Sequence, residues 1–266
     1  MTMADIDALS NRGLVLRFAP VTLRDELQAL FTIEQEVLTS LDIRLDHAVA
    51  HTRLEWWQQE LERLARAEPR HPATRKLAER ALAQGRTPPL LAGLIEATRI
   101  DLASVAFLDR NELDEYLTHW SQSIFVAATH DASATNLRLG RTIREIELLD
   151  VFDRHARRGR IYLPLGDPPA AYQPWLQQPL AATECATLKE RLLELYDALH
   201  IALQNLPPEY GAGRAIALIW ASLAQQQATA RARLLPSFAP ASRWQAFSRT
   251  IRAWRAAVAC NPKDSS

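Results

Sequence analysis

The stretch DVFDRHARRGRIYLP, residues 150–164, joins two patterns. Up to Arg157 it continues an amphipathic helical period that begins near residue 133. The basic tetrad Arg157-Arg158-Gly159-Arg160 then breaks the period, and a buried-looking Ile161-Tyr162-Leu163-Pro164 follows. The acids of that helix are Glu145, Glu147, Asp150 and Asp153. Asp150 stands four residues before Arg154 and Asp153 four before Arg157. That is the spacing of ion pairs on a helix surface, so the helix is expected to turn its acids to water. Carboxylates that share a magnesium ion are typically four apart on one face, stacked within reach of one hard cation, and this helix does not offer that set.

Outward from this stretch nearly every segment has helical period. Leu54, Trp57, Leu61 and Leu64 recur at steps of three or four, with Glu55, Gln59, Glu62 and Arg63 between them. The same pattern predicts helices over roughly 21–39, 73–84, 89–103, 111–130, 133–157, 180–205, 213–235 and 241–258. Pro69, Pro72, Pro88, Pro89, the run from Pro164 to Trp175, Pro207, Pro208, Gly211, Gly213, Pro236 and Pro240 punctuate them. No strand pair emerges, and the expected architecture is a single all-α domain. Residues 1–19 are read as an N-terminal segment, 20–257 as the helical domain and 258–266 as a frayed tail.

Lys plus Arg and Asp plus Glu both number 31, so no net field recruits nucleic acid, and any anionic partner must meet a local patch. Cys185 and Cys260 are far apart and form no metal-ligand spacing, which predicts reduced thiols. The opening MTMADIDALSNRG lacks the pattern of a secretory leader, and no apolar stretch approaches the ~18 residues of a membrane span. A cytoplasmic location is expected, with peripheral contact at the inner face of a membrane left open. Arg231, Arg233, Arg243, Arg249, Arg252 and Arg255, set among Ala, Trp and Phe, are candidates for a basic amphipathic surface there. The tryptophans Trp56, Trp57, Trp120, Trp220, Trp244 and Trp254 fall on apolar helical faces and are expected in the core.

The segment ARRGRIYLP, 156–164, resembles the ending of a motif-bearing helix in the squalene and phytoene synthases. RLEWWQQELERL from Arg53, PRHPATRKL from Pro69, LIEATRIDL from Leu94 and NELDEYL from Asn111 follow in that family's order. The resemblance implies helices around a central cavity, as in isoprenoid synthases. It also implies two acidic motifs holding Mg²⁺ against a prenyl diphosphate. Here the second motif's acids fall on Val151, Arg154 and His155, and the first motif's on Leu38, Thr39 and Asp42, of which only Asp42 is acidic. A tyrosine- and glycine-bearing run of the family matches HWSQSIF, 119–125. His119 takes the tyrosine's place, and Gln122 and Phe125 replace glycines, which is expected to fill the tunnel or push helices apart. Acid-less relatives occur in a branch that includes a mitochondrial respiratory complex I assembly factor, whose TQSS resembles Trp120 to Ser123 here.

The resemblance therefore supports two expectations. In the first, the chain keeps the fold, has lost metal-dependent catalysis, needs no cofactor, and binds an isoprenoid diphosphate, another anionic lipid or a protein partner. Its ligand-binding candidates are Asp42, Arg53, His119, Glu147, Arg154, His155, Arg158, Arg160 and Tyr162. Guanidinium forks suit phosphate oxygens, so Arg154 and His155 at former acid positions would turn a cation site into an anion site, unless Arg154 simply pairs with Asp150. Tyr162 and Trp220 are candidates for a tunnel wall. In the alternative, the chain is an active Mg²⁺-dependent head-to-head prenyltransferase, with Glu34, Glu36, Glu147 and Asp42 compensating for the missing acids.

Overall fold

A computed structural model describes residues 6–42, 44–103, 107, 109–157, 160–164, 182–206, 211–235 and 243–260. Helix starts follow side-chain caps. Ser10 caps α1 (Asn11–Phe18) by accepting from the Gly13 N–H, Asp46 caps α3 (His47–Ala65), and His71 caps α4 (Pro72–Ala83) with Pro72 in the first turn. Between α1 and α3 lies α2 (Val21–Leu38), which tightens into a 3₁₀ turn over Thr39–Leu41. Helix α5 (Ala92–Ala103) leads to α6 (Arg110–Trp120), capped by Asp109. A π-helical turn over Ser121–Phe125 joins α6 to α7 (Val126–Thr129), and Ser133 caps α8 (Ala134–Asp150). After α9 (Phe152–Ala156) come three long helices, α10 (Ala182–Gln204), α11 (Gly211–Leu234) and α12 (Arg243–Cys260).

Among the described residues there is no strand, only an isolated bridge residue at Ile161, whose carbonyl accepts from the Phe107 N–H at 3.3 Å. Helix α11 packs on α1, α8, α10 and α12, while α2 packs on α1, α4 and α5. The core between these groups is aromatic. Trp220 stands edge-on to Phe31 at 5.4 Å and to Trp120 at 5.9 Å, with Phe125 at 5.5 Å. No described helix is long and apolar enough to cross a membrane.

Four expectations need correction. The helix predicted over 133–157 breaks at Val151, whose φ/ψ of −114°/28° leaves the helical region, so Asp150 and Arg154 no longer share a face. Glu145 and Glu147 are buried instead of solvated. Trp57, Trp120 and Trp220 are core residues, but Trp56 and Trp254 are exposed. Gln122 is exposed and fills no tunnel, whereas Phe125 is fully buried. Room for Phe125 comes from the facing helix: a Cβ on Gly140 would lie 2.3 Å from Ser121 Oγ and 2.7 Å from the Phe125 side chain. The helices thus approach through a glycine on α8. Helix α1 packs against α2, α11 and α12.

Gly213 makes the closest approach. A Cβ there would sit 1.9 Å from the Thr129 carbonyl oxygen, a backbone atom with no rotamer to yield. Gly213→Ala is therefore expected to lose about 2–3 kcal/mol of stability, near the upper end of overpacking costs. A urea midpoint unchanged from wild type would contradict that packing.

Candidate functional site

A cavity of about 1000 Å³ opens between α2, α8, α9, α11 and the N-terminal helix. Phe31, Glu34, Gln35 and Leu38 line it from α2, and Arg144, Glu147, Leu148 and Asp150 from α8. Leu38, Thr39 and Asp42 reach the same cavity as Val151, Arg154 and His155, so the two motif positions inferred by resemblance face one space.

At its inner end Arg12 joins the two long helices. Its guanidinium donates to both Glu34 oxygens, Nη2 to Oε1 at 2.8 Å and Nε to Oε2 at 3.1 Å, and its Nη1 donates to Glu147 Oε1 at 2.5 Å. Trp120 Nε1 donates to Glu34 at 2.9 Å, and Trp220 Nε1 to Glu147 at 2.8 Å. The guanidinium also lies 4.9 Å from the Trp220 ring centroid and 5.5 Å from that of Trp120. Burial works to raise the Glu147 carboxyl, but the Arg12 charge and hydrogen bond, with Arg144 and Asn11, outweigh it and hold Glu147 below its ordinary value. Burial likewise opposes the Arg12 charge, and both glutamates overcome it, so Arg12 stays protonated.

The polar lining continues outward from there. Asn11 donates to Glu147 at 2.9 Å and to Gln227 at 2.7 Å, and accepts from Arg249 Nη2 at 2.7 Å. Asp150 receives Gln227 at 3.0 Å and Arg231 at 3.3 Å. No Asp150–Arg154 pair forms, because the break at Val151 turns Asp150 toward α11; burial raises its carboxyl, and Arg231 and Arg249 pull it back only in part. Arg144 donates to the Tyr116 hydroxyl at 2.7 Å, and burial pushes that phenol up to about 12.

A second network closes the loop end of the cavity. Tyr162 Oη donates to the Asp101 carboxylate, 2.8 Å from each oxygen, and Arg160 Nη1 donates to Oδ1 at 2.8 Å. Burial raises the Asp101 carboxyl despite Arg160, and raises the Tyr162 phenol well above its usual range. The His155 ring stands 4.8 Å from Tyr162.

Of the candidates read from sequence, Asp42, Glu147, Arg154, His155, Arg160 and Tyr162 share this cavity. Asp42 forms an ion pair with Arg44 at 2.6 Å. Arg53 instead donates to Thr39 Oγ1 at 2.6 Å, outside the lining, and His119 lies 3.8 Å from Glu115 on α6, also outside it. Arg158 lies outside the described residues. Trp220 stands behind the lining rather than in it. Sequence reasoning missed Arg12, Asp101 and Asp150 as parts of the site, and assigned Arg231 and Arg249 to the surface although both line the cavity. The cap at Ser10 ahead of Leu14 and Val15 was a legible sign of α1, but nothing local pointed to the partners of Arg12. Among the described residues no three His, Cys, Asp or Glu side chains are grouped so as to hold a metal ion.

Comparison with known proteins adds the following. A family model described as squalene/phytoene synthase matches residues 9–245. A crystal structure of a dehydrosqualene synthase in complex with ligand is similar with a TM-score of 0.72 at 14% identity, covering 94% of this chain and 90% of that one. The squalene synthase HpnC from Alicyclobacillus acidocaldarius is similar with a TM-score of 0.63 at 19% identity, covering 83% of this chain and 87% of that one. At these identities the likeness establishes the fold, helices of the isoprenoid-synthase type around a central cavity. No curated protein matches the sequence significantly.

Proposed function

The chain belongs to the squalene/phytoene synthase family, and from that premise we propose that it is a non-catalytic member which binds an anionic isoprenoid, such as a prenyl diphosphate, without metal. The observation that carries the reading is Arg12. Its fixed positive charge lies between Glu34 and Glu147, the two acids that face one another from α2 and α8, and engages both Glu34 oxygens and Glu147 Oε1. The lining supports it further through a poor fit to magnesium, because hard divalent ions need several convergent carboxylate oxygens and, of the six motif positions, Leu38, Thr39, Val151, Arg154 and His155 offer none and Asp42 alone is acidic.

Capacity for an anion lies at the outer part of the cavity. Arg154 is exposed there and makes no ion pair among the described residues, and deeper in, the buried Arg249 Nε has no hydrogen-bond partner among them. Guanidinium donors left over in this way suit the oxygens of a phosphate or diphosphate. The resemblance to assembly-factor relatives makes a role in building a membrane enzyme the corresponding cellular reading.

A second reading, the active Mg²⁺-dependent transferase, is favoured by Asp42 and Asp153, carboxylates that line the cavity from two elements. One set of measurements separates the two. Under the binding reading, farnesyl diphosphate at a hundredfold excess over its Kd stabilises the protein by about 2.7 kcal/mol, a melting shift of roughly 5–10 °C, equally with Mg²⁺ or with chelator. Arg154→Glu is expected to weaken this at least about tenfold, since it exchanges an attractive charge for a repulsive one. Diphosphate release that requires Mg²⁺ and disappears in Asp42→Ala would overturn the non-catalytic reading.

A further inference from the structure

Helix α12 carries four arginines and no acid in a chain whose charges otherwise balance. It packs on α11 and α1 through Ala253, which is fully buried. At about 100° per residue, Phe247, Ile251, Trp254 and Val258 fall within a sector of roughly 60° on the other side of the helix. Trp254 is 53% exposed, Val258 50% and Phe247 57%, so this stripe meets water over about 16 Å of helix length. Arg249 turns inward to Asn11, whereas Arg252 and Arg255 are exposed along one flank of the stripe and form no ion pair among the described residues.

We infer that this face of α12 docks on an anionic lipid bilayer, lying flat in its interface. An apolar stripe bearing a tryptophan and flanked by arginines is the chemistry that meets acyl boundary and headgroup phosphate together. A second copy of the chain fits poorly, because an acid-free helix placed against its twin brings like charges together. No described helix can span the bilayer, so a flat lie is the mode available to α12. Arg249, on the opposite side of the same helix, lines the cavity, so docking here leaves α12 between the cavity and the membrane. The inference does not depend on what the cavity holds.

The test is flotation of the purified full chain with phosphatidylcholine vesicles, with and without phosphatidylglycerol. Wild type is expected to float only with the anionic vesicles, and less as salt rises. Replacing Arg252 and Arg255 together by Gln should lower partitioning roughly thirtyfold, given about 1 kcal/mol for each arginine at such a surface. Trp254→Ser should abolish flotation, while melting temperature and helicity stay at wild-type values because the side chain is exposed. Equal flotation with neutral vesicles, no flotation at all, or indifference to these substitutions overturns the inference. So does a wild-type dimer in sedimentation that Trp254→Ser converts to monomer, or binding to an acidic protein without binding to vesicles.

Discussion

Arg12→Met is expected to destabilise the protein by about 3–5 kcal/mol at pH 7, because it leaves two buried carboxylates without their shared counter-charge. The methionine replaces the stem but not the charge; Glu34 then keeps its tryptophan N–H, and Glu147 its tryptophan N–H and the Asn11 amide. For Glu147, Arg144 at 3.7 Å is the remaining cation. The sign of the pH dependence follows from Glu147. In the wild type its pKa lies below the reference 4.5, so it contributes stability above that value and loses it as pH falls through the folded pKa. Without Arg12 the dominant influence is burial, which raises the carboxyl, so the variant regains stability relative to wild type as the pH drops toward 4.5. Urea unfolding at pH 7 and pH 4.5 should therefore give a wide gap at the first and a narrow one at the second. Adding Glu147→Gln to the variant should recover part of the loss at pH 7. A gap of equal size at both pH values would mean that lost packing, not stranded charge, is responsible.

The same network shows how far the sequence could be read. Apolar residues at steps of three and four located the long helices, because burying one face of each helix is what stabilises it. The family resemblance, not that period, pointed to Leu38 and Val151 as walls of one cavity. The period failed for the acids of α8, and the reason is visible in their neighbours. Ile143, Ile146, Leu148 and Leu149 surround Glu145 and Glu147 and leave no wide polar face, so the nearby arginines of the segment were poor guides to their partners. The actual partners are distant in sequence: Arg12 lies 135 residues from Glu147, and Arg191 lies 46 from Glu145. Arg110 and Arg191 both grip Glu145, and their hydrogen bonds outweigh the burial that would raise its carboxyl. Local spacing reports on i to i+4 neighbours only, so long-range pairing of buried charge was invisible to it. The break at Val151 was hidden for a related reason: a β-branched residue is tolerated inside helices, and here tertiary pairing of Asp150 with Arg231 accompanies the turn.

Phe125→Ala carries the other large effect, an expected loss of about 3–5 kcal/mol, because the ring is fully buried and its removal leaves a void against Trp220 and Gly140. The π-helical turn that bears Phe125 is hydrogen-bonded to α8 through Ser121 Oγ, which donates to the Leu137 carbonyl at 3.0 Å, so the walls of the void are held and collapse only partly. Gly140→Ala alone is expected to cost about 1–3 kcal/mol, since its Cβ would meet both Ser121 Oγ and the Phe125 side chain. In the Phe125→Ala background the contact with the ring Cγ is gone, while those with Ser121 Oγ and with the Cβ of residue 125 remain, so the clash is relieved only in part. The two losses should then fall short of additive by about 0.5–1 kcal/mol in a double-mutant cycle. Strict additivity would show that the ring Cγ carries none of the Gly140→Ala cost. The void also lies behind Phe31, a residue of the cavity wall, with Trp220 between. If the cavity holds a prenyl chain, Phe125→Ala should increase the melting shift given by geranylgeranyl diphosphate more than that given by a shorter homologue, because only the longer chain has methylenes to place in the added space.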